Sequence, residues 1–160
     1  MIIIKILLAT SLLIVFFQDT KERLVYWFMF PLIGLLCGLL FYNSTLPELF
    51  LNSILLNVIF VLVLILLIST YTKFKLNVPL TQTIGIGDIL LFVALTLSFS
   101  TVSFIVIFIS ALIFSLLLHL FRGGKTKLKT TVPLAGYMSF FFLMSYLFHW
   151  ANLTNLVYNI

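Results

Sequence analysis

Ile84-Gly85-Ile86-Gly87-Asp88 opens a stretch that runs through Ser98-Phe99-Ser100-Thr101 and on to Phe121 without another Lys, Arg, Asp or Glu. Residues 84–121 are too many for one ordinary transmembrane helix of about 20 residues and few for two. Ser98-Phe99-Ser100-Thr101 is the best site for a tight turn. With that turn, the helix from Asp88 to Ser98 measures about 16 Å at 1.5 Å per residue, so the span has to begin near Thr83. Gly85, Gly87 and Asp88 then lie roughly one helical turn below the membrane surface. A further span follows at residues 102–121.

The turn also sets the parity of the chain. With it there are six spans and both termini are outside. Lys21, Arg23, Lys73, Lys75, Arg122, Lys125, Lys127 and Lys129 then share the cytoplasmic side, eight of the 9 Lys and Arg residues, leaving only Lys5 opposite. Without the turn the last four basic residues change sides and the bias disappears. The positive-inside rule therefore favours the turn.

Composition agrees. Hydrophobic residues make up 63% of the 160 and charged residues 8%, with a mean hydropathy of +1.30. A soluble domain carries about 25% charged residues. The net charge of +5 reads as loop bias and not as a nucleic-acid footprint. Cys37 is the only cysteine, which excludes an internal disulfide and a cysteine-cluster zinc site. The expected fold is an all-α polytopic membrane protein with about six transmembrane helices in one domain, residues 1–160. The expected spans are residues 2–20, 27–42, 49–69, 83–98, 102–121 and 132–150.

The first span continues through Asp19 to reach a full membrane thickness. Arg23 lies at i+4 from Asp19, the spacing of a local ion pair. Tyr26 and Trp27 suit an interfacial belt. Gly34 and Gly38 form a small-xxx-small face in the second span. Pro47 suits the opening of the third, in which Asn52 and Asn57 need partners if buried. Residues 70–83 form the longest loop, interrupted by Pro79. Pro133 opens the last span. His119 and His149 fall near opposite membrane faces, which argues against a shared metal site.

Only Asp19, Glu22, Glu48 and Asp88 are acidic. The six-span topology brings Asp19 and Asp88 to one face at similar depth. Two carboxyls that close cannot both ionise easily, so one acts as general acid beside a general base, with no metal or cofactor. Gly85 and Gly87 would leave room for a substrate backbone. From the residues alone three uses stay open: a hydrolytic dyad, a small transporter or proton-coupled carrier, and helix-terminal caps in a non-catalytic assembly protein.

Asp19-Thr-Lys-Glu-Arg23 after the first span, with Gly85-Ile-Gly87-Asp88 heading the fourth, resembles the type IV prepilin peptidases and their archaeal preflagellin-peptidase relatives. These are GxGD intramembrane aspartic proteases. The resemblance implies a GxGD aspartic protease fold with Asp19 and Asp88 catalytic, and supporting roles for Gly85, Gly87, Arg23 and Pro133. It implies no cofactor and no metal. The implied substrate is a prepilin-like or pseudopilin protein, with a basic leader and a hydrophobic stem, cut at the cytoplasmic face of the inner membrane. Larger members carry a four-cysteine zinc region, so the chain resembles the compact, core-only form. It departs from the pattern at Leu24-Val25-Tyr26-Trp27, at Ile89-Leu90-Leu91 and at Pro133-Leu134-Ala135-Gly136. Neither composition nor motif fixes an oligomeric state.

Overall fold

The computed structural model describes residues 1–76, 84–122 and 133–151. Among them are six α-helices: α1 Ile2–Lys21, α2 Met29–Tyr42, α3 Pro47–Tyr71, α4 Ile86–Leu95, α5 Thr101–Arg122 and α6 Leu134–Trp150. A π-helical turn, Thr72–Leu76, extends α3. Pro47 stands in the first turn of α3 with Glu48 behind it, so the fixed φ and the acidic side chain both suit a helix start. Helix α4 starts at Gly85 in extended backbone. There the Asp88 side chain accepts a hydrogen bond from the Gly85 N–H, the return half of a capping box.

The expectation of about six transmembrane helices in a GxGD aspartic protease fold is corrected by helix length. Among the described residues only three helices are long and apolar enough to cross a bilayer: Ile2–Lys21, Pro47–Lys75 and Thr101–Phe121. The 14 residues of α2, 10 of α4 and 17 of α6 extend about 21, 15 and 25 Å. A hydrocarbon core is about 30 Å thick. Much of the apolar content of these three helices faces protein. Leu91, Phe92, Ala94 and Leu95 of α4 are all buried, as are eight residues of α6. The expected span at 83–98 is Ile86–Leu95 where described. The start near Thr83, the loop proline Pro79 and the basic residues Lys125, Lys127 and Lys129 lie outside the described residues.

Helices α1 and α6 run antiparallel along their whole length. The Gly136 N–H reaches Asp19 at one end, and the Lys5 ammonium lies 5.4 Å over the Trp150 ring at the other. The stripe of α1 turned inward is Leu8, Ser11, Leu12, Val15 and Asp19, at helical spacing. Helices α2 and α4 run parallel: Gly87 faces Phe30, Gly34 faces Ala94 and Gly38 faces Leu97. Phe92 meets Phe108 with ring centroids 5.0 Å apart, and Phe60 packs edge-on to Phe104 and Phe108, tying α3, α4 and α5 together. Helix α3 is peripheral, with only Asn57 and Val61 buried.

The chain does turn between α4 and α5, but inside the protein. Ser98 and Phe99 are 0% exposed and Ser100 3%. A 10-residue helix is too short to carry its own end to the surface. Buried irregular backbone has to find partners within the protein. Asn57 of α3 supplies two, its amide donating to the carbonyls of Thr96 (2.9 Å) and Phe99 (3.0 Å). The hydroxyls of Thr96 and Ser98 donate to Val93 and Leu95, and Tyr146 donates to the Ser98 carbonyl at 3.4 Å. Phe99 lies against Phe142 and Tyr146.

Candidate functional site

Helix α6 begins without a cap of its own. Its N-cap is Pro133, which has no side-chain acceptor, and no side-chain cap bond is made there. The first N–H groups of any helix have no partner within it and form the positive end of its dipole. Two of them are taken by aspartates from elsewhere in the chain. The Gly136 N–H donates to Asp19 Oδ2 at 2.6 Å, and the Ala135 N–H donates to Asp88 Oδ1 at 2.8 Å. Consecutive amide nitrogens in a helix are about 3 Å apart, so these two carboxylate oxygens are separated by roughly 8 Å at most. Asp19 and Asp88 are thus brought together, on the N-terminus of one helix, from the last turn of α1 and the first turn of α4.

The local chain explains both placements. Asp19 ends the buried stripe of α1 and is 9% exposed. One turn later the helix stops at Arg23, whose φ of 56° is left-handed and therefore strained for a non-glycine residue. The Arg23 N–H donates to the carbonyls of Gln18 and Asp19, closing the helix end. The Arg23 side chain lies within electrostatic reach of Asp19. Asp88 is half-buried and accepts two amide bonds, from Ala135 through Oδ1 and from Gly85 through Oδ2 at 3.2 Å.

The other sequence-predicted residues are distributed around this pair. A Cβ on Gly85 would meet Asp88 Oδ2 at 3.3 Å, and Gly85 is exposed beside it. A Cβ on Gly87 would meet the Phe30 ring at 3.5 Å, so Gly87 serves the contact with α2. Pro133 sets the start of the helix that supplies the amides. His149 is in the last turn of α6, at the end away from Pro133. Among the described residues no group of three His, Cys, Asp or Glu could hold a metal ion. The donors themselves, Ala135 and Gly136, are backbone groups without a side-chain signature. A proline opening a helix with no Ser, Thr, Asp or Asn beside it was the one signal that the cap had to come from elsewhere.

A cleft of about 410 Å³ lies between the end of α1 and the chain that follows, lined by Phe17, Gln18, Lys21, Glu22 and residues 24–26. At 100° per residue these α1 positions centre on the flank turned away from Asp19. The cleft is therefore not the space between the carboxylates.

Length, composition and packing together define a membrane-embedded helical protein with an acidic pair seated on a helix N-terminus. Protein-family models give no match to the chain, and neither do the curated proteins or the solved structures compared with it.

Proposed function

We propose that the chain is an aspartic endopeptidase of the membrane that cuts the leader from prepilin-like proteins. Asp19 and Asp88 are its catalytic pair. The observation that carries the reading is the anchoring of both carboxyls on consecutive amides of α6, although they stand 69 positions apart in sequence. The two sequence motifs around them lend it further support. In the reaction one carboxylate takes a proton from water as the water oxygen attacks the scissile carbonyl. The other, protonated, gives its proton to the carbonyl oxygen. Collapse of the tetrahedral intermediate breaks the C–N bond: the proton gained from water passes to the departing amine, and one hydroxyl of the intermediate returns its proton to the other carboxylate, restoring the pair. The open side at Gly85 gives a peptide backbone access to Asp88. Arg23 acts on Asp19 by its charge, and Pro133 sets the helix whose amides hold the pair. Lys21 ends α1, Arg23 follows it, and Lys73 and Lys75 follow α3, which supports a cytoplasmic placement of that end in the inner membrane.

A second reading, a non-catalytic assembly protein, is favoured by one observation: each aspartate also serves as a cap for α6. Substitution separates the two. Asn keeps an acceptor for the amide but cannot exchange the proton. The protein, reconstituted in vesicles, is given a peptide with a basic leader and a hydrophobic stem, and products are read by mass spectrometry. Asp19→Asn and Asp88→Asn should each lower cleavage by about 10²–10⁴-fold while the protein stays inserted. Undiminished cleavage by either variant rejects the dyad. A wild-type protein that never cleaves, and that loses its fold only with Ala at these positions, is the assembly protein.

A further inference from the structure

We propose that Gly136 is the positioning residue of the carboxyl pair, because the missing side chain lets α1 close onto α6 far enough for Asp19 to take the Gly136 N–H. A Cβ at this position would lie 3.1 Å from Asp19 Cβ, 3.1 Å from Asp19 Oδ2 and 3.2 Å from Thr20 Cγ2. Real Cβ atoms rarely approach neighbours so closely, and three contacts on one side leave no direction in which to relax but apart. Thr20 cannot swing freely, since its hydroxyl donates to the Phe16 carbonyl at 2.6 Å. Asp19 cannot move away without lengthening the 2.6 Å bond that seats it. Any larger residue therefore separates α1 from α6 at the acidic end.

Other helical glycines behave differently. A Cβ on Gly38 would meet Leu97 side-chain atoms at 3.7 and 3.9 Å, ordinary contact distances. Gly34 meets its nearest neighbours at 3.4 and 3.5 Å. The requirement for glycine thus falls at the position where a side chain from one helix meets the main chain of another. Asp88 is held by the neighbouring amide, from Ala135, so moving α1 alone changes the spacing of the pair and not the seat of Asp88.

The proposal rests on the peptidase reading only for its kinetic consequence. Gly136→Ala should lower kcat about 10- to 100-fold with KM changed less than about 3-fold, the cost of misplacing a reacting group by a fraction of an ångström to an ångström. Gly38→Ala, the same substitution in the same bilayer, should leave kcat within about 3-fold. The second measurement needs neither activity nor the Gly136 variant. In protein labelled with ¹⁵N-glycine, the Gly136 amide proton should resonate downfield of those of Gly34 and Gly38. It should move back towards them in Asp19→Ala. A wild-type kcat in Gly136→Ala overturns the proposal, and so does a Gly136 resonance indifferent to Asp19→Ala. If Asp19→Asn and Asp88→Asn cleave normally, the peptidase reading fails, and the positioning role is decided by Gly136→Ala labelled with ¹⁵N-alanine: its position-136 amide should have lost the downfield shift, and retention of the shift overturns the proposal.

Discussion

Asp88 offers both of its oxygens to amides, whereas Asp19 has one such bond, and the difference predicts unequal responses to the same substitution. In Asp19→Asn the new side chain can turn its carbonyl to Gly136 and leave its NH₂ elsewhere. In Asp88→Asn it has to set an NH₂ against the N–H donor of either Gly85 or Ala135. Turned towards the exposed Gly85, the NH₂ loses that bond at a cost below the about 1–3 kcal/mol of a buried donor left without an acceptor. Asp88→Asn should therefore unfold at lower temperature than Asp19→Asn in detergent micelles, and the reverse order would contradict the bonding described. Arg23 sits in an unfavourable region of backbone space. Its left-handed backbone costs about 1–2 kcal/mol for an L-residue, and nothing for glycine. Arg23→Gly and Arg23→Ala lose the same guanidinium but differ in that strain. Gly should be the more stable of the two by about 1 kcal/mol, measured in one denaturant series.

Among the elements, α4 depends most on others. It is a 10-residue helix with an aspartate at its head and a buried turn at its tail. Asn57 braces that tail by donating to two carbonyls from a third helix. Asn57→Leu removes both donors and leaves the carbonyls of Thr96 and Phe99 facing apolar side chains. At about 1–3 kcal/mol for each buried group left unsatisfied, and less the relief of removing Asn57 Oδ1, itself buried without a partner, the net loss should reach about 1 kcal/mol or more. Equilibrium unfolding in mixed micelles measures it, and a loss under about 0.5 kcal/mol would mean the turn is held by other contacts. Asn57→Asp should be no better, because a carboxylate has no N–H to give. In sequence, Asn57 was readable as a buried amide in need of partners. Which partners it has was not, because they are main-chain carbonyls 39 and 42 positions away.

For the molecule as a whole, six helical segments and the turn near Ser98 were legible, because apolar runs between polar breaks mark helices whatever surrounds them. The number of membrane crossings was not. Leu91, Phe92 and Leu95 read the same whether they meet lipid or protein, and here they meet protein. Loop charge could choose a parity, but could not tell that α4 covers only half a bilayer. At the site, two acidic positions were legible from their rarity, while the amides of Ala135 and Gly136 were invisible in a list of side chains. The unequal helices have a consequence for the lipid itself. Helix α3 is a largely apolar cylinder about 37 Å long, from 25 residues, with one flank against the protein and the other uncovered. Beside it the exposed Ile86, Leu90 and Val93 of α4 belong to a wall of only about 15 Å. Such hydrophobic mismatch is met by tilt of the long helix and local thinning of the bilayer, at fractions of a kcal/mol per ångström. Thinning along α4 would draw headgroups and water down towards Asp88, so the thickness of the host membrane sets how deeply the acidic pair is immersed.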